Sequence, residues 1–319
     1  MKKLGKLLGA AACVTAVGAS FAYLTTKLLV DAATEREQPK IIEKAQIKIS
    51  GSGVDEEFLK VSEQCSEKLK NLPLEEMRIT SFDGTPLVGH WYPCENAKRI
   101  IVAMHGWRSS WYKDFGMIAD FWNNNGCSVL FAEQRGQQGS GGSHICFGLS
   151  ERYDCLEWIK FINATFGDEK PIYLAGISMG AATVLMTAGL DLPQNVHGIM
   201  ADCGFTSPKE IWRHVTTHNL HLSYRLHGFV ADEMFKRKLN MGTDDYSTIE
   251  AMKNCRVPVL FIHGTDDNFV PVRMTYENYA ACAAPKQLLI VPGADHGMSY
   301  YIERERYEKQ VLEFWKEFD

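Results

Sequence analysis

From residue 76 onward, short apolar runs recur along the chain: Ile100 to Met104, Ser128 to Ala132, Ile172 to Ala175, Gly198 to Ala201, Val259 to Ile262 and Leu288 to Val291. Each is too brief for a helix and is closed by Gly, Pro or a polar turn, so each reads as a buried strand. Between most of them lie longer stretches with apolar residues at helical spacing, such as Tyr153 to Phe166 and Ala181 to Leu190. Upstream, Arg78 to Phe82 and Leu87 to Tyr92 flank the turn pair Asp83-Gly84, which predicts a β-hairpin. Buried strands alternating with helices predict an α/β domain over 76–319, its eight strands forming a mainly parallel sheet with helices on both faces.

Two stretches break this rhythm. About fifty residues between Cys203 and Val257 carry no strand signal, yet hold Trp212, Val215, Leu220, Leu222, Tyr224, Leu226, Phe229 and Phe235. They predict a helical insertion over about 205–254. At the other end, Lys2, Lys3 and Lys6 precede an uncharged stretch from Leu7 to Thr26, about the length that crosses ~30 Å of hydrocarbon as a helix. Residues 1–30 are therefore expected to form a signal-anchor helix, with 31–75 as a polar linker with short helices. The N-terminal lysines favour a cytoplasmic start and an extracytoplasmic domain. Two other readings stand beside it: a signal peptide cleaved at Ser20-Phe21-Ala22, and a soluble amphipathic helix.

Composition narrows the function. The chain has 319 residues, 45% of them hydrophobic and 23% charged, with a net charge of −5. Its basic residues are scattered, which argues against nucleic acid as a partner. The nine cysteines include no Cys-x-x-Cys pair, and Cys127, Cys155, Cys203 and Cys255 sit in or beside apolar runs, so they read as buried free thiols. His214 and His218, four apart in the insertion, lack a matching carboxylate set and do not read as metal ligands. Gly139-Ser140-Gly141-Gly142 lacks the Lys-Ser/Thr of a phosphate loop. No cofactor and no metal is expected.

In open α/β sheets, working residues sit at the carboxyl ends of strands. The run Ile172 to Ala175 leads into Gly176-Ile177-Ser178-Met179-Gly180, a Gly-x-Ser-x-Gly elbow that puts a serine on a sharp strand-to-helix turn. Serine needs a base, and His296 follows the last strand. The base needs an acid. Asp266 or Asp267 follows Val259 to Ile262, and Asp202 is a weaker alternative. Either of the first two gives the order Ser, Asp, His. The N–H of Met179, at the helix start, and that of Trp107, after His105-Gly106, are the candidate oxyanion donors.

These features resemble the α/β-hydrolase superfamily. The chain is most similar to bacterial membrane-anchored hydrolases with a serine-aminopeptidase-like or lysophospholipase-like lid. The resemblance runs from about residue 76 to the end. It rests on His105-Gly106, Arg135-Gly136-Gln137-Gln138-Gly139-Ser140, the elbow, His263-Gly264 and Asp295-His296-Gly297. It maps the acid onto Asp267 and the base onto His296. It implies a serine hydrolase that cleaves an acyl ester of a hydrophobic or small substrate through an acyl-enzyme, with the insertion as a lid. A peptidase, an amidase, an acyltransferase and a non-catalytic binding protein are the alternatives. Glu133-Gln134 and Gln137 depart from the family, which usually has Asp before the Arg-Gly loop and often His within it. Altered packing is the expected consequence.

Overall fold

The structure is a computed structural model and describes residues 20–39 and 56–319. Its strands are β1 (Glu75–Thr80), β2 (Pro86–Tyr92), β3 (Arg99–Met104), β4 (Cys127–Ala132), β5 (Ile172–Ile177), β6 (Val196–Asp202), β7 (Val259–Gly264) and β8 (Lys286–Val291). They form one eight-stranded sheet in the order β1-β2-β4-β3-β5-β6-β7-β8. β2 runs antiparallel to both β1 and β4, and every other pairing is parallel. The hairpin turn falls at Asp83-Gly84, where Gly84 takes φ +85°.

Because successive side chains on a strand point to opposite faces, the central strands feed two cores. Ile100, Val102 and Met104 of β3, with Leu174 of β5, meet Trp158, Ile159 and Val184 from the helices Glu151–Phe166 and Met179–Thr187. Ile101 and Ala103, with Tyr173, face Phe115, Trp122, Phe314 and Trp315 on the other side. A strand buried on both faces has no polar positions to alternate, which is why these runs are continuously apolar.

The insertion after β6 comprises the helix Pro208–His214, a π-turn at Val215–Asn219, and the helices Tyr224–Leu239 and Thr248–Asn254. Of its aromatic residues, Trp212 and Phe235 are buried and Phe229 is 81% exposed.

Parts of the stretch read as anchor and linker pack on this domain. A helix over 20–34 runs across the expected boundary at residue 30. Its Val30 and Ala33 pack against Trp212, Ala231, Met234 and Phe235. Thr26 Oγ1 lies 2.7 Å from His227 Nδ1, and Lys238 pairs with Asp31 at 2.9 Å and with Glu35. The helix Glu56–Lys70 buries Ser66 and Leu69 and sets Phe58 on Tyr301 at 5.1 Å between ring centres. Residues 7–19 of the expected membrane span lie outside the described residues. Among the described residues, no helix is long and apolar enough to cross a membrane. The eight described cysteines are all free, six of them buried.

Candidate active site

The turn from β5 into the helix Met179–Thr187 presents Ser178 with φ +56° and ψ −115°, a conformation that L residues rarely adopt. Two glycines make it feasible. A Cβ on Gly180 would lie 1.8 Å from the Met104 carbonyl oxygen, and one on Gly176 would lie 2.3 Å from the Gly180 backbone. The serine is thereby lifted to the carboxyl end of the sheet while helix and strand pack backbone to backbone.

Ser178 Oγ lies 2.9 Å from His296 Nε2, and His296 Nδ1 lies 2.7 Å from Asp267 Oδ2. The carboxylate fixes the tautomer: Nδ1 donates to Asp267, and Nε2 is left to accept the serine hydroxyl. Asp267 is nearly inaccessible, and its Oδ1 accepts the backbone N–H groups of Phe269 and Val270 at 2.9 and 2.8 Å. Oδ2 also lies 3.0 Å from His263 Nε2. Burial alone would raise the Asp267 pKa, but His296 and His263 hold it well below the usual carboxylate range. Burial likewise works against the His296 imidazolium, yet neighbouring Cys203 and Asp267 hold its pKa well above the ordinary value. Burial pushes Cys203 itself up to about 11, so at neutral pH Cys203 acts on the ring as a hydrogen-bonding thiol and Asp267 supplies the charge beside it.

The other acid candidates stand apart from this chain of bonds. Asp202 accepts from Ser299 Oγ at 3.1 Å, and burial raises its pKa to about 6. The Asp266 side chain is joined to Thr265 Oγ1 at 2.7 Å. The rings of His214 and His218 stack at 4.6 Å, and His214 Nε2 lies 3.2 Å from the Asn268 carbonyl. Among the described residues, Cys203, Asp267 and His296 are the one group of three with potential ligand atoms within 4.8 Å of one another.

His105 and Asp114 shape the loop after β3. His105 Nε2 accepts from the Gln134 amide at 3.1 Å, so Nδ1 carries the proton and donates to the Gly106 carbonyl at 2.8 Å. Asp114 Oδ2 takes the Gly106 N–H at 2.6 Å. The next N–H, that of Trp107, follows at a point where a Cβ on Gly106 would lie 3.4 Å from Ser178 Cβ. Trp107 and Met179 both line the cavity that contains Ser178. The family departures have packing roles: Glu133 pairs with His90 at 2.7 Å, Gln134 also bonds the His105 carbonyl, and Gln137 accepts the Arg108 amide at 2.6 Å.

The cavity holds about 670 Å³ free of protein atoms, including its mouth. Phe147, Phe205 and Phe269 line it from the domain, and Ile211, Trp212, Val215, Leu220 and Phe235 from the insertion. Leu29, Ala32 and Ala33 line it from the helix at 20–34. Among the described residues that line it, Ser178 supplies the only hydroxyl. Four participants were not singled out from the sequence: His263, Leu29, Ala32 and Ala33. His263 was visible only as part of a motif, although its spacing of four from Asp267 is a usable signal. The three residues at 29, 32 and 33 sat inside or beside a stretch whose apolarity has another reading.

Comparison with known proteins agrees with this architecture. The Pyrococcus furiosus esterase Pf2001 superposes with a TM-score of 0.64 at 21% identity, covering 79% of this chain and 93% of that one. The Pyrococcus horikoshii acylaminoacyl peptidase gives 0.58 at 19% identity, covering 78% and 43%. These likenesses establish the α/β-hydrolase fold. The uncharacterized protein YqkD of Bacillus subtilis is 31% identical over 193 residues, which span 59% of this chain and 62% of that relative's length. Residues 113–318, more than half of the chain, match the prolyl oligopeptidase family, and the chain is a member of that family of serine hydrolases.

Proposed function

We propose that the protein hydrolyses carboxylic esters of hydrophobic acyl groups, with Ser178 as nucleophile, His296 as general base and Asp267 as the acid that orients it. The observation that carries this reading is the Asp267–His296–Ser178 run of hydrogen bonds at the wall of a cavity otherwise lined by apolar side chains. His296 Nε2 takes the Ser178 proton as Oγ bonds to the acyl carbon, and the Trp107 and Met179 N–H groups receive the oxyanion. Collapse breaks the ester C–O bond, the alcohol leaves with the proton from His296, and water then releases the acid from the acyl-enzyme. An ester is favoured over a peptide because, among the described residues, the cavity lining holds no charged side chain to receive a peptide terminus.

The insertion at about 205–254 acts as the lid over this cavity, since it supplies one of the cavity's walls. The N-terminal segment anchors the enzyme to a membrane, with the catalytic domain on the extracytoplasmic side. The uncharged stretch after three lysines and the exposed Phe21, Tyr23 and Leu24 support this anchor. A panel of alkyl esters, thioesters and aminoacyl amides, run against the wild type and Ser178→Ala, tests the chemistry. Ester turnover that vanishes in the variant is expected, and turnover of amides alone would replace the reading with a peptidase.

A further inference from the structure

We infer that the helix at 20–34 is the wall that sets how long an acyl chain the site accepts, an inference that rests on the ester-hydrolase reading above. Leu29, Ala32 and Ala33 recur at i, i+3 and i+4 and so occupy one helix face, and all three line the cavity that holds Ser178. Val30, on the neighbouring face, and Ala33, at the edge between the two, are seated on the insertion. The segment is therefore a fixed part of the cavity.

The backbone is held as firmly as the side chains. The Trp107 indole N–H donates to the Ala33 carbonyl at 2.8 Å, and Arg108 Nε donates to the Ala32 carbonyl at 3.0 Å. A second Arg108 nitrogen bonds the Glu35 carbonyl, and the Ile145 N–H donates to the Thr34 carbonyl at 2.7 Å. Trp107 belongs to the loop next to Ser178, so this wall is tied to the reacting end of the cavity. Two alanines side by side on the wall leave room that larger residues would fill. Leu29 is the bulk that closes the same face one turn earlier.

Each buried methylene multiplies binding roughly fourfold, so a side chain that displaces two of them changes selectivity by roughly 16-fold. The test measures kcat/KM for p-nitrophenyl esters from acetate to decanoate with the wild type, Leu29→Ala and Ala33→Leu. Ala33→Leu is expected to lower the decanoate-to-acetate ratio ~10-fold or more, and Leu29→Ala to raise it. Opposite shifts from one helix cannot come from a general loss of folding. A parallel arm follows binding of free fatty acids of graded length through the fluorescence of Trp107 and Trp212, which needs no turnover. A length preference that moves in the binding arm while no ester is hydrolysed would support the wall and defeat the ester reading. Unmoved length preferences in both arms would overturn the wall.

Discussion

His263 and His296 meet on one atom: their ring nitrogens lie 3.0 and 2.7 Å from Oδ2 of Asp267. His263 is fully buried, and its other nitrogen lies 2.6 Å from Thr275 Oγ1. Since Nε2 also faces the Val270 carbonyl at 2.8 Å, Nε2 carries the proton and Nδ1 accepts from Thr275. On the proposed mechanism, His263 is a positioning residue that keeps Asp267 aimed at His296. His263→Ala is expected to lower kcat on the order of 10²-fold with little change in KM, and to restore part of it in His263→Gln. Steady-state kinetics on one ester checks the split. A purely structural role would lower active-enzyme concentration without this rescue.

The choice of acid separates two carboxylates. Asp267→Asn leaves His296 with a wrong hydrogen-bond partner and is expected to lower kcat ~10⁴-fold. Asp202→Asn keeps a partner for Ser299 and relieves a buried charge, so activity stays within a few-fold of wild type. Pre-steady-state acylation rates distinguish them. Loss in Asp202→Asn with retention in Asp267→Asn would reverse the assignment.

The base must be neutral to act, and Asp267 favours its charged form. Activity is therefore lost as pH falls through a value above the ~6.5 of an ordinary histidine. The acid limb of kcat/KM, followed with an ester whose leaving group is read independently of pH, measures it. A limb at or below the ordinary value would contradict the electrostatic argument.

The strained elbow depends on two missing side chains. Gly180→Ala would force a Cβ against the Met104 carbonyl, and backbone cannot yield as a flexible side chain does. Denaturant unfolding should show a loss above ~3 kcal/mol or no folded protein. Gly84→Ala, where the space is open and only φ +85° is strained, is expected to cost ~1 kcal/mol.

Much of this fold was legible because a doubly buried strand has to be continuously apolar. Ile100 to Met104 and Val259 to Ile262 could be read directly. The elbow was legible for a similar reason, since its geometry tolerates few residues at 176 and 180. The seating of 20–34 was not legible. Val30 and Ala33 look alike whether they face lipid or Phe235, and the charges at Asp31 and Glu35 find Lys238 only after two hundred intervening residues fold. The role of Glu133 was also hidden, because its partner His90 lies 43 positions earlier in the chain, on the neighbouring strand β2.

Covalent labelling asks whether Ser178 is the nucleophile. A fluorophosphonate probe with peptide mapping by mass spectrometry should place one adduct on Ser178 in the wild type. No adduct should form in Ser178→Ala, and that variant should hydrolyse no ester while unfolding as the wild type does. An adduct on another residue, or undiminished ester hydrolysis by Ser178→Ala, would contradict the account.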